Sequence, residues 1–268
     1  MRLLALLLLL SLPAHAVDPP PRIKQAGKLV IATFPNYPPL TFKDPATNQR
    51  LGFDVELGEA IGRVLGVPVE WTEMAFVQMI PGIQTGRADL AMDGIGDLPA
   101  RREVVDMVDY LRTGARFFVA AGSAVRSPAD LCGMKVGASR STSWPADIAA
   151  WSARECTGAG KPAMVVVGTE GSIDTRTQLR AGRLDGGVQG DETMTWFQKV
   201  EPGAYVPIGE RFTTVLVGIP VAKTETALRD AVKAAVTTLM ADGTYTALLG
   251  KWQLQDNAIP TVMVNGAP

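Results

Sequence analysis

The sequence predicts an α/β protein of two similar lobes, each a mixed sheet flanked by helices, with two crossovers between them. Two observations carry this. Apolar segments alternate between strand-like and helix-like periods along the chain. A short pattern also recurs: Thr85-Gly86-Arg87-Ala88-Asp89 leads into Leu90-Ala91-Met92, and Ala181-Gly182-Arg183-Leu184-Asp185 leads into Gly186-Gly187-Val188. Each copy reads as a helix end, a Gly cap, a turn and a strand, at the same step of its βα series, so the copies mark two lobes with separate cores.

The first segment reads as an export signal. Arg2 precedes an apolar run over residues 3–12, and Ala14-His15-Ala16 has the small-x-small form of a cleavage site, expected to be cut after Ala16. The run is too short for a membrane span, and the alternative is a retained N-terminal anchor. No Cys follows the site, which argues against lipid attachment. Of 268 residues, loss of 16 leaves 252, enough for one large or two small domains.

Composition excludes several chemistries. The one histidine, His15, lies in the signal segment, so Ser-His-Asp and Cys-His nucleophiles and His-ligated metal sites are not expected. Of 26 basic residues the signal takes Arg2, leaving 25 against 27 acidic ones, a net charge of −2 with no basic block. Nucleic acid is a poor match as a partner. The two cysteines, Cys132 and Cys156, read as a disulfide in an exported chain, the alternative being two buried thiols.

The expected elements follow in order. Leu29–Thr33 is a strand; Phe53, Leu57, Ala60, Ile61, Val64 and Leu65 recur at helical spacing up to Gly66. Residues 67–71 form a second strand, Phe76, Met79, Ile80 and Ile83 a helical stripe ended by Gly86, and residues 89–95 a third strand. The second lobe brings a strand at 116–121, a short helix opened by Ser127-Pro128, strands at 135–138 and 165–167, and between them a helix to Arg154 capped by Ser143. A strand at 214–220, a long helix at 226–240 and a last helix ending near Trp252 return to the first lobe. Lobe 1 is thus expected over residues 27–112 and 214–256 and lobe 2 over 113–213, with crossovers near 111–116 and 211–214. The tail, 257–268, shows no periodicity and is expected to be loosely held.

Open α/β sheets bind ligands beyond the carboxyl ends of their strands. Four such ends are rich in Gly, hydroxyls and aromatics: residues 33–37, 93–97, 139–143 and 189–191. Gly96 lets the main chain approach a ligand, and Asp97 is placed to cap a helix carrying Arg101 in its first turn. Free N–H groups beside a guanidinium suit a planar carboxylate, the alternative for Arg101 being a surface role.

These segments resemble the periplasmic amino-acid-binding proteins, family 3 of the solute-binding proteins of ABC transporters. The resemblance rests on Asn36-Tyr37-Pro38-Pro39-Leu40-Thr41-Phe42, Gly52-Phe53-Asp54-Val55-Glu56-Leu57, Met79-Ile80-Pro81-Gly82-Ile83-Gln84-Thr85-Gly86, Leu98-Pro99-Ala100-Arg101, Val105-Asp106-Met107-Val108-Asp109-Tyr110 and Asp130-Leu131-Cys132-Gly133-Met134-Lys135-Val136-Gly137. It implies the type II periplasmic-binding-protein fold. It also implies a periplasmic, monomeric receptor without catalytic residues, metal or cofactor, which closes on an amino acid or related carboxylate and docks on a membrane permease. By position, Arg101 would clamp the carboxylate, Thr142 and Ser143 would close on it from the second lobe, and Gly94 and Gly96 would offer main-chain groups. Tyr37 and Phe76 would sandwich the side chain, with core packing as their alternative. Phe34 stands where relatives that take basic side chains often carry an acid, which argues against a Lys- or Arg-like ligand. The family's ammonium-binding Asp falls on Gly190 here, so Asp191 would replace it or serve as a helix cap; without a replacement the amine site is absent and the ligand is not an α-amino acid. Two other readings are carried: a sensory binding module, and an enzyme resembling the cyclohexadienyl dehydratases, with Asp93, Asp191 or Glu192 as general acid and Arg101 on the substrate carboxylate.

Overall fold

A computed structural model describes residues 17–267. The expected cleavage site after Ala16 lies outside the described residues. Two mixed sheets form two lobes. The first runs in the order Met263–Val264, Val105–Thr113, Val215–Ala222, Leu90–Ala91, Leu29–Thr33, Val69–Glu73. The second runs Val165–Thr169, Lys135–Ser139, Gly186–Gly190, Ala115–Ala120, Tyr205–Ile208. In each, three parallel strands continue into antiparallel ones, so the two lobes share a plan.

The repeated Gly-Arg-x-Asp pattern does the same work in both. Gly86 and Gly182 take left-handed φ of 70° and 67° and end their helices, a conformation that costs glycine little. The Asp that follows is fastened to the neighbouring strand twice. Asp89 donates its N–H to the Val30 carbonyl (2.9 Å) and accepts the Val30 N–H at Oδ2 (2.7 Å). Asp185 treats Lys135 identically, at 2.9 Å in both directions.

Helices cover both faces of each sheet because their apolar stripes need burial. On the first sheet, Phe53–Val64, Thr226–Ala241 and Thr244–Trp252 bury Leu57, Ile61, Val232, Val236 and Leu249 against Leu29, Ile31 and Ile219. Met79–Gln84 packs on its other face with Ala32 and Met107. In the second lobe, Trp144–Glu155 covers one face through Ile148, and the opposite core joins Leu179, Phe197 and Phe118. Cys132 and Cys156 form a disulfide that ties the loop before Lys135–Ser139 to the end of the helix Trp144–Glu155.

The chain passes between lobes at Gly114 and again over residues 209–214. The passages run side by side: Ala115 receives the Phe212 N–H on its carbonyl (2.9 Å) and donates its own N–H to Thr213 Oγ1 (2.9 Å). A side chain at 114 would strike the Thr213 carbonyl, so glycine is required there.

Several local readings need correcting. The third strand keeps only Leu90–Ala91 of the expected 89–95, because Gly94 turns into left-handed φ (61°) and gives its N–H to Asp54 Oδ2 (2.8 Å) instead of a strand. Val69–Glu73 begins two residues later than expected. Ser143 stands at the start of its helix without a side-chain cap; Thr142 Oγ1 accepts the Trp144 N–H there (3.3 Å). Residues beyond Asp256 are held, not loose: Met263–Val264 pairs with Val105–Thr113, Ile259 and Val262 are buried, and the Asn265 side chain accepts the Met107 N–H (2.9 Å) and donates to Asp106 (3.0 Å). Periodicity misses such a segment because it is too short to show a period and is ordered by tertiary contacts. Among the described residues no helix is long and apolar enough to cross a membrane.

Candidate functional site

A cavity of about 250 Å³ lies where the strand ends of both lobes converge. The first lobe contributes Phe34 and Tyr37 after Leu29–Thr33, Phe76 and Val77 at the next helix start, and the loop from Asp93 to Leu98 with Arg101. The second contributes Ser139, Ser141, Thr142, Ser143 and Trp144, then Gly171 and Ser172, then Val188 and Gln189. Eight of the nine predicted binding residues line it together: Arg101, Tyr37, Phe76, Gly94, Gly96, Thr142, Ser143 and Phe34.

Arg101 is the positive pole. It sits on the short helix Pro99–Arg102, whose N-cap is Leu98 without a side-chain cap. The expected Asp97 cap fails because Asp97 pairs with Arg102 instead (2.6 Å). That leaves Arg101 without an ion pair to a carboxylate among the described residues. Its Nη1 donates to the Gly96 carbonyl (2.7 Å) and its guanidinium lies 5.4 Å from the centre of the Phe76 ring. Burial lowers its pKa, with Asp97 opposing. A desolvated guanidinium held by one carbonyl and one ring still has donors for a planar anion. Phe76 therefore backs the arginine as well as lining the cavity.

The remaining predicted donors divide. The Gly94 N–H is spent on Asp54, so Gly94 has only its carbonyl to offer. Thr142 Oγ1 is bound into its own turn, donating to the Ser139 carbonyl (2.8 Å).

Asp191 is not in the cavity. Its carboxylate accepts the Gly114 N–H (3.1 Å) and the Asn257 amide (3.3 Å) and pairs with Arg211 (3.1 Å), while its N–H goes to the Gly114 carbonyl (2.9 Å). The 3-10 turn Asp191–Thr193 directs residue 191 to the crossovers and residue 192 inward. The Glu192 carboxyl occupies the space where a side chain on Gly190 would begin. Both its oxygens are taken, one by the Tyr37 hydroxyl (2.5 Å) and one by Thr113 Oγ1. Burial is the main cause that pushes the Glu192 carboxyl up to about 7, and burial followed by Glu192 raises the Tyr37 phenol well above its ordinary value.

Trp144 and Asp93 are among the cavity residues that the sequence does not mark as ligand contacts. Trp144 packs in the second lobe's core while one side reaches the cavity. The sequence marks Asp93 only as a general acid for an enzyme, although it stands at a strand end beside Gly94. Asp93 is 3 % exposed, and its Oδ1 accepts the Phe34 N–H (3.0 Å) and the Thr33 hydroxyl (3.2 Å). Burial raises its pKa well above the carboxylate range, with Asp54 adding to the shift. No group of three or more His, Cys, Asp or Glu suited to a metal ion occurs among the described residues.

The family described as bacterial extracellular solute-binding proteins, family 3, matches residues 29–255. The chain is 32% identical over 252 residues to the L-arginine-binding protein of Pseudomonas aeruginosa, covering 91% of each. Its fold is similar to that of an ancestral arginine-binding protein bound to arginine, with a TM-score of 0.73, 28% identity, and coverage of 84% of this chain and 98% of that one. It is also similar to an ancestral amino acid-binding protein described as a precursor of cyclohexadienyl dehydratase, with a TM-score of 0.74, 27% identity, and coverage of 86% and 97%.

Proposed function

Because the chain belongs to the bacterial extracellular solute-binding proteins, family 3, we propose that it is the periplasmic, monomeric receptor of an ABC importer and that it grips an amino acid by its carboxylate. One observation carries the reading: a partly buried guanidinium, Arg101, faces the cavity between the lobes and makes no ion pair with a carboxylate among the described residues. A ligand carboxylate supplies the missing charge in a site that largely excludes water. The Gly96 main chain and the hydroxyls of Ser139, Ser141 and Ser143 stand around the same cavity to complete its hydrogen bonds. Tyr37, Phe76, Phe34 and Trp144 supply aromatic wall for the rest of the ligand.

Closure of two lobes about paired crossovers would bury the ligand, and the closed form would present both lobes to a permease. The names of the amino acid-binding relatives support an amino acid as the ligand. Of the acids a dehydratase reading would use, Asp191 is engaged at the crossovers and Glu192 is closed off by two hydroxyls, which leaves Asp93 as its one candidate in the cavity.

The test is a calorimetric screen of amino acids on the wild type and on Arg101→Ala. Loss of binding by at least about 100-fold is expected, the scale of a charge-assisted bidentate pair. Unchanged affinity of the best ligand in Arg101→Ala would remove the carboxylate assignment. Incubation with prephenate should release no phenylpyruvate.

A further inference from the structure

We propose that Asp93 receives a cationic group on the ligand's side chain, so that the cleft selects amino acids carrying a distal guanidinium or ammonium. The inference rests on the carboxylate reading above and names what binds at the other end.

Most of the other buried acids of the two lobes have partners; Asp109, whose Oδ2 accepts the Gly266 N–H (2.9 Å), lies outside the cavity. Asp97 pairs with Arg102, Asp106 with Arg229 (3.0 Å) and Asp191 with Arg211. Asp54 lies outside the cavity and is satisfied by the Tyr110 hydroxyl (2.7 Å) and the Gly94 N–H. Glu192 is covered by Tyr37 and Thr113. Glu170, at the cavity edge, is exposed and pairs with Arg140 (3.0 Å). Asp93 differs from all of these. It is buried, it lines the cavity, and among the described residues it has no basic partner. Only Oδ1 is hydrogen-bonded; no donor is found for Oδ2 among the described residues.

A carboxylate taken out of water without a cation is costly, and a cation arriving with the ligand offsets that cost. The cavity thus holds two unmatched groups of opposite sign. Arg101 is fixed by Gly96 and Phe76, and Asp93 by Thr33 and Phe34, on different parts of the wall. They are not close enough to form an ion pair with each other, so a ligand bearing both charges would neutralise both. Asp93 is fastened to the main chain of Phe34, whose ring also faces the cavity and adds a surface for a cation to lie against. An apolar side chain at position 34 therefore does not leave this cavity without an acid, because position 93 supplies one on the 34 main chain.

The experiment compares arginine with citrulline, which replaces the guanidinium by a neutral urea of the same shape, on wild type, Asp93→Asn and Asp93→Ser. Wild type should bind arginine about 10- to 100-fold more tightly than citrulline, and both variants should bring the ratio to within about 3-fold, mainly by weakening arginine. Melting curves check that the variants are folded. Equal binding of arginine and citrulline by wild type would overturn the proposal, as would variants that weaken both ligands alike, the pattern of an acid that meets the α-ammonium or only shapes the cavity. Arg101→Ala separates the two readings. If it leaves arginine affinity intact while Asp93→Asn abolishes the preference over citrulline, the carboxylate assignment fails and the Asp93 assignment stands.

Discussion

Asp191 exchanges two hydrogen bonds with Gly114, the one residue between the last strand of the first sheet's outward pass and the first strand of the second sheet. The same carboxylate pairs with Arg211 in the return passage, so one side chain clips both crossovers together. Asp191→Ala should leave a buried Gly114 N–H without an acceptor and cost about 1–3 kcal/mol of stability. Ligand affinity should change by less than about 10-fold, whereas an ammonium-binding residue would lose far more. Calorimetry and thermal melts on the same sample read both quantities.

Tyr37 and Glu192 join the lobes directly, the phenol of the first donating to the carboxyl of the second. Tyr37→Phe removes that bond and leaves the ring in the cavity wall. A more open average shape is expected without ligand, visible as a larger radius of gyration in solution scattering. Ligand should bind about 5- to 30-fold more weakly, since closure loses a hydrogen bond to a buried acid. An unchanged scattering profile together with unchanged affinity would show that this contact does not hold the lobes.

Three buried acids, Asp54, Asp109 and Glu192, are pushed up to about 7, in each case chiefly by burial. Raised carboxyls keep their protons in the folded protein at pH values where the unfolded chain has released them. Their favourable contribution is whole below the ordinary values of 3.8 and 4.5 and is lost as pH rises to about 7. Acids with lowered values, such as Glu73 and Asp106, act in the opposite sense at lower pH. The melting temperature of ligand-free protein should therefore fall between about pH 4.5 and 7, and Glu192→Gln should flatten the slope. A melting temperature that climbs over that interval would contradict the assignment.

The disulfide closes a span of 24 residues. Replacing both Cys132 and Cys156 by Ser should cost about 3 kcal/mol by the loop-closure relation. Denaturant titration under oxidising conditions measures this, and the second lobe, which contains the whole loop, should be the part that loosens.

Asp89 and Asp185 make matching contacts in separate lobes. Each Asp→Ala change should cost about 1–3 kcal/mol, and the double variant should be additive because no partner is shared. Strong non-additivity in denaturant titrations would mean that the lobes unfold as one coupled unit.

Much of this architecture is local and can be read from the chain. Helical spacing from Phe53 to Leu65 and the Gly-Arg-x-Asp repeats mark helices and turns because periodicity and left-handed caps act within a few residues. Position-by-position resemblance also gathered Arg101, Tyr37, Phe76, Phe34 and the turn at 142–143 around one cavity. Asp191 shows where such reasoning stops: residues 191 and 192 are both acidic and adjacent, and a single 3-10 turn sends one to the crossovers and the other inward. The docked end of the chain at Met263–Val264 is likewise invisible to periodicity, being too short to have any.

What the sequence by itself determined was the two-lobed plan, the disulfide pair and the place of the arginine, since pattern, composition and local caps are properties of neighbours along the chain. Tertiary structure alone decided which charges are left over. Asp97 is neutralised by Arg102, Asp191 by Arg211, and Arg101 and Asp93 by neither, because pairing depends on which side chains the fold brings within reach in a low-dielectric interior.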